Sequence, residues 1–332
     1  MPAFYERDRG CVCSMAINRY VYVFLNSSPE KQHHVKYLQV ESADTVNDIG
    51  HPIVREALRE YNWAENVDGY ADISTMADVV GGTGLGSSSA FAVALCSALE
   101  ERRADTYPRK SEVANHACAV EMERLGGSLG RQDQFASAMG GLNLLHFDQG
   151  TGDTYVDRLQ LSKSHMREFC EHLAVYYVGD TRDSESILAE QDANLRNSDD
   201  AFRAAQHMTV LARAFAEAIV ARRYTHAGSL LADAWDRKKS LTNKISNPII
   251  DTMYENAMKV GATGGKLLGA GGCGYMLFMR PPNRSTAIDS VLPGLPRLHF
   301  EVDTYGVTPL STKPLAPGFV RDGVWLPDIG YD

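Results

Sequence analysis

Residues 82–90 read GTGLGSSSA: three glycines alternate with small or apolar residues, and three serines follow in a row. The run FAVALCSALEERR comes directly after, at 91–103. Its Phe91, Ala94, Leu95, Ala98 and Leu99 keep the i, i+3, i+4 spacing of a buried helical face. The stretch is therefore a loop that opens a helix. Gly82, Gly84 and Gly86 allow positive φ and close approach of another group. Leu85 holds the loop between them, and Ser87, Ser88 and Ser89 stand where free N–H groups and the positive end of the helix dipole point outward. That is an anion site with added hydroxyl donors. The competing reading is a glycine turn with a serine N-cap.

Two other phosphate motifs fail. A Walker loop needs GxxxxGK[ST]; the only Gly-Lys pair, Gly265-Lys266, is followed by Leu267, and Val260 holds the first glycine position. A GxGxxG match at Gly269, Gly271 and Gly274 precedes an expected strand, whereas a dinucleotide fingerprint lies between a strand and a helix. A nicotinamide enzyme is thereby disfavoured.

The chain has 332 residues, 44% hydrophobic and 23% charged, which suits a folded protein of one large or two ordinary domains. Its net charge of -9 argues against general nucleic-acid binding and against anionic membrane surfaces. The six cysteines form no CxxC pair and no zinc-spaced cluster, consistent with a reducing, cytoplasmic setting. No apolar run reaches the ~18 residues of a membrane span, and MPAFYERDRG lacks the pattern of a signal peptide.

Strands are expected at 20–25, 35–40, 142–147, 173–178, 275–279 and 298–302. Helices are expected at 53–61, after the serines, at 111–125 with Ser111 as N-cap, at about 200–223 and 226–241, and from Asn247-Pro248 to Gly261. Strands and helices mix without strict alternation, so the class is α+β. A polar turn at 149–153 places a domain boundary near 150–162, dividing the chain into 1–160 and 161–332.

The GLGSSSA loop at 84–90, the GAGGCG loop at 269–274 and their order resemble the second and third motifs of the GHMP kinase superfamily. MERLGGSLGRQDQ at 122–134 is similar to that family's IERxxLG…GxQDQ. The run 235–278, WDRKKSLTNKISNPIIDTMYENAMKVGATGGKLLGAGGCGYMLF, looks like the branch of sugar-phosphate kinases that contains D-glycero-D-manno-heptose 7-phosphate kinase. Such matches extend over most of 3–303. The resemblance implies a ribosomal-protein-S5-like N-terminal domain, a ferredoxin-like C-terminal domain, and ATP and Mg²⁺ bound between them. It also implies phosphorylation of the heptose phosphate at C1 to the 1,7-bisphosphate, in nucleotide-heptose synthesis for surface glycans. Fucose- or galactose-type sugar kinases share the same loops. Two departures stand out: the family's opening RxPLRI strand and GGGTD motif are expected to be missing, and Val80 replaces the usual proline. A non-catalytic nucleotide- or sugar-binding homologue is the alternative this raises.

Carried over residue by residue, the resemblance makes Asp133 the catalytic base; its other reading is a turn-capping Asp. Ser88 and Glu123 become the Mg²⁺ ligands, although helical pattern alone makes Glu123 a solvated charge and places Glu121 nearer the buried stripe. Gly269, Gly271 and Gly272 are expected on the phosphates. Lys266 adds charge there or forms a surface pair. Arg182 suits the substrate's own phosphate or is an ordinary surface residue. Lys238 and Lys239 read as a solvated helix face. The oligomeric state stays open, a homodimer among the options.

Overall fold

The computed structural model describes residues 1–103, 108–179 and 184–310, together with the backbone of 318–321 and 324–327. Arg182 lies outside the described residues. The chain starts with α1 (Pro2–Tyr5), β1 (Gly10–Met15), β2 (Val21–Ser27), β3 (His33–Lys36) and β4 (Val40–Ala43). The single strand expected at 35–40 is instead a hairpin. Tyr37 N–H donates to Gln39 O at 2.8 Å and turns the chain there. Next come α2 (Pro52–Glu60), α3 (Glu65–Asp68), β5 (Ala71–Ala77) and the helix after the serines, α4 (Ser87–Arg103).

The helix expected over 111–125 divides into α5 (Lys110–Cys118) and a wide π turn over Ala119–Arg124. Arg109, not Ser111, is its N-cap, and the cap makes no side-chain hydrogen bond. Leu125 N–H reaches back five residues to Val120 O at 3.1 Å. After α6 (Gln132–Met139), β6 (Leu142–Phe147) and β7 (Thr154–Arg158) complete a sheet of order β1-β6-β7. The second sheet of this half has the order β2-β5-β3-β4. β1 and β2 are thus both end strands, and both line one large cleft.

The second half runs α7 (Lys163–Glu171), β8 (Leu173–Tyr177), α8 (Ser184–Asn197), α9 (Asp199–Val220), α10 (Tyr224–Lys239) and α11 (Pro248–Lys259). It ends with β9 (Gly264–Leu267), β10 (Tyr275–Met279), α12 (Ser285–Val291) and β11 (Arg297–Leu298). Asn247 caps α11 as read, its Oδ1 accepting from the N–H groups of Ile249 and Ile250 at 3.0 Å. The antiparallel sheet has the order β11-β8-β10-β9. In chain order this is fourth-first-third-second, the ferredoxin-like split βαβ arrangement, with four helices in the first crossover. The strand expected at 298–302 stops at Leu298. Beyond it the chain leaves the sheet and returns to the first half, where Val302 bridges Ile17 and Asp303 N–H donates to Ala16 O at 3.0 Å.

One core packs α4, α5 and α6 on the β2-β5-β3-β4 sheet, with Leu58, Ile73, Leu95, Leu99 and Phe135 fully buried. A second packs α8, α10 and α11 on the C-terminal sheet around Trp235, Tyr176, Ile245 and Phe278. These cores hold rigid the two loops that meet over the cleft.

Candidate active site

The first intrahelical bond of α4 runs from Ala90 N–H to Gly86 O at 2.8 Å. The N–H groups of Ser87, Ser88 and Ser89 therefore precede the helical ladder, at the positive end of a helix of 17 residues. Gly82, Gly84 and Gly86 take φ of 76°, 82° and 74°, as the loop reading requires. Gly84, Leu85, Gly86 and Ser89 line the cleft, joined from the C-terminal half by Gly269 and Ala270. The cleft encloses about 2160 Å³.

The second loop connects β9 to β10. It supplies no helix terminus, and it fits against the first loop backbone to backbone. A Cβ on Gly84 would lie 2.9 Å from Leu268 O, and one on Gly269 would lie 2.4 Å from Gly84 Cα. Further along, a Cβ on Gly274 would meet Thr83 O at 2.2 Å. These glycines thus make room for one another. Gly271 and Gly272, expected on the phosphates, lie against Ile245: a Cβ on Gly271 would meet Ile245 Cα at 2.8 Å, and Gly272 N–H donates to Ile245 O at 2.9 Å. Both brace the loop on the segment between α10 and α11.

Ser88 Oγ donates to Glu121 Oε1 at 2.7 Å, and Gln134 Nε2 donates to Glu121 Oε2 at 2.7 Å. Glu121 is 2% exposed. Burial pushes its carboxyl above the ordinary value, against the pull of hydrogen bonds from Ser88, Ser89 and Gln134. Glu123, the expected ligand, is exposed. Within the π turn Val120 and Glu121 are buried and Glu123 and Arg124 exposed, the placement that the plain helical pattern also favoured. Arg124 is fixed there by Glu60, Nε to Oε2 at 2.6 Å.

The donor set fits a magnesium ion shared with phosphate oxygens. It offers one hydroxyl and one buried carboxylate whose hydrogen-bond partners are neutral side chains, and Gln134 Oε1 beside it is buried without a hydrogen bond. Among the described residues no three His, Cys, Asp or Glu side chains cluster to hold a metal by themselves.

Asp133 sits in the first turn of α6 against the glycine loop: a Cβ on Gly86 would lie 3.5 Å from Asp133 Cγ. Burial raises its carboxyl above the usual range, while Gln132, Lys238 and Lys266 act to lower it. Lys266, on β9, faces the same cleft; burial depresses it, with Asp133 acting in the opposite sense. Lys238 is the residue that sequence reasoning misplaced. It belongs to the cleft lining rather than to a solvated face, and its Nζ donates to Gly269 O. Burial first and Lys266 second depress it to about 7, opposed by Asp133.

Residues 51–141 match the sequence model of the GHMP kinases N terminal domain, and residues 215–293 match that of the GHMP kinases C terminal domain, together about half of the chain. The D-glycero-alpha-D-manno-heptose 7-phosphate kinase of Campylobacter jejuni is 28% identical over 214 residues, 64% of this chain and 62% of that protein. The L-fucokinase/L-fucose-1-P guanylyltransferase of Bacteroides fragilis is 26% identical over 67% of this chain and 23% of its own length. The matched region thus spans less than two thirds of either relative. Among solved structures, a D-glycero-D-manno-heptose 1-phosphate kinase from Bacteriodes thetaiotaomicron superposes with a TM-score of 0.69 at 20% identity, over 90% of this chain and 89% of that one.

Proposed function

The chain belongs to the GHMP kinase family, with its N- and C-terminal domains in one α+β fold, and from that premise we propose that it transfers the γ-phosphoryl group of ATP to a sugar phosphate. The substrate that fits the resemblance is D-glycero-D-manno-heptose 7-phosphate, phosphorylated at the C1 hydroxyl. The observation that carries the reading is the placement of Asp133: a carboxyl held against the glycine loop at Gly86, with two ammonium groups in the same cleft. A protein that only binds nucleotide needs the loop and has no use for a proton acceptor there.

In this reading Gly84, Leu85, Gly86 and the N-terminus of α4 bind the nucleotide phosphates, and Asp133 takes or orients the hydroxyl proton. Such a base contributes roughly 10²–10⁴-fold. Ser88 and Glu121 would hold Mg²⁺, which neutralises phosphate charge when bound. Lys266 tunes Asp133 and adds positive charge. The cysteines carry no disulfide and no helix among the described residues is long and apolar enough to cross a membrane, in keeping with the proposed cytoplasmic setting. We retain 160/161 as the proposed domain division, with 301–307 returning to the N-terminal half.

The fucokinase relative supports a second reading, a kinase for an unphosphorylated sugar. ADP release across a panel of heptose 7-phosphate, fucose and galactose with MgATP separates them. Turnover is expected on the heptose phosphate. Turnover on a free sugar alone selects the second reading, and none on any sugar overturns both.

A further inference from the structure

We infer that Lys238, in the last turn of α10, is a catalytic residue that holds the phosphoryl group in transit at the seam of the two glycine loops. This rests on the kinase reading above and assigns one further residue to it. Two adjacent lysines end α10, and they have different surroundings. Lys239 is accounted for on the outer side: its Nζ lies 3.3 Å from Asp236 Oδ1 and 5.7 Å from the Trp235 ring centre. Lys238 turns into the cleft, and its side-chain hydrogen bond goes to Gly269 O. An ammonium has three donors, so this contact fixes its position and leaves donors for a ligand.

The residue that anchors Lys238 identifies the ligand. Gly269 is the one that packs on Gly84 at the loop seam. Asp133 reaches the same cleft from the other side, beside Gly86. A group near both Lys238 and Asp133 is therefore the one moving between nucleotide and acceptor. A phosphate at the far end of a seven-carbon sugar lies several bonds from that point. Lys266 disfavours the charge on Lys238 while Asp133 favours it, and Asp133 acts likewise on Lys266. The three carry a net positive charge when ionised, which favours an anion at this place. In the transfer, the bond from Pγ to the ADP oxygen breaks and ADP leaves with its electron pair. The bond from the sugar oxygen to Pγ forms, and the hydroxyl proton passes to Asp133. Lys238 exchanges no proton; it offsets charge on the equatorial oxygens of the moving group.

The test compares the full-length wild type with Lys238→Met and Lys238→Arg, each checked for an unchanged thermal midpoint. Two readouts are taken: steady-state kinetics on the accepted sugar phosphate, and calorimetric affinities for MgATP and MgADP, which need no sugar. Expected for Lys238→Met is a kcat lower by about 10²–10³-fold with the sugar phosphate KM within about threefold, and a clear loss of the preference for ATP over ADP. Lys238→Arg should recover part of kcat and of that preference. An unchanged preference for ATP, or a KM increase with kcat intact, overturns the inference. Because the nucleotide readout stands alone, failure of the sugar-kinase reading shows separately, as wild-type binding without transfer to any sugar.

Discussion

Both glycine loops reach the same cleft, and they bring opposite charge to it. The 82–86 loop runs into α4, and the elements packed around it supply carboxyls: Asp133 in the cleft lining beside Gly86, and Glu121 buried behind Ser88 outside that lining. The 269–274 loop joins two strands, and its flanking elements deliver ammonium groups, Lys266 from β9 and Lys238 from α10. Similar composition thus serves two ends. Some of the first loop's glycines shape the turn that leads into a helix N-terminus, whereas the second loop's glycines mainly let two backbones touch. What a glycine-rich stretch does depends on what its neighbours carry.

The comparison breaks most sharply at Asp133. Asp133→Asn keeps the shape of the acidic side and removes its proton acceptor. Turnover should fall by about 10²–10⁴-fold, while calorimetric ATP affinity stays within about threefold. Near wild-type turnover would reduce the acidic side to architecture.

The next test sets Glu121 against Glu123. Glu121→Gln should lower Mg²⁺-dependent turnover about 100-fold, and Glu123→Gln should leave it unchanged. Stability moves the other way. The folded-state pKa of Glu121 is raised, so its contribution to stability is fully present below the ordinary carboxyl value and is lost as pH rises through the folded value. At pH 8 the Gln variant, which cannot ionise, should therefore melt at the same temperature as wild type or higher. Scanning calorimetry at pH 8 checks this.

These two residues also show where sequence reading succeeded and stopped. The helix after the serines, the cap at Asn247 and the α+β class were legible because they rest on local periodicity and local hydrogen bonds. The π turn itself was hidden, because no composition signal marks an i+5 bond. The family alignment pointed to Glu123, while the plain helical stripe already favoured its neighbour. β1 and β9 escaped because GCVCSM and GGKL show neither a polar alternation nor a β-branched run. Lys238 escaped because only tertiary packing tells a lysine in a cleft from one on a solvated face.

A smaller effect probes the seam between the loops. Gly84 and Gly150 both have positive φ, 82° and 88°, but only Gly84 would press a Cβ on Leu268 O and Gly269. Both Ala variants should lose about 1–3 kcal/mol from backbone strain. Gly84→Ala should lose more, and should also raise the ATP KM. Equal losses would mean that the seam contributes nothing.

The smallest effect is a pH shift. Lys266 holds the Asp133 carboxyl down against burial. Lys266→Met should therefore move the acidic limb of kcat/KM to higher pH, since Asp133 must be ionised to accept a proton. A limb that stays in place would separate Lys266 from the acid it faces.

The central claim is phosphoryl transfer from ATP to an anomeric sugar hydroxyl, and phosphorus NMR tests it most directly. With MgATP and D-glycero-D-manno-heptose 7-phosphate, the wild type should produce ADP and, in equal amount, a new phosphate resonance coupled to the sugar H1. ADP without that resonance, or no ADP on any sugar offered, would contradict the account.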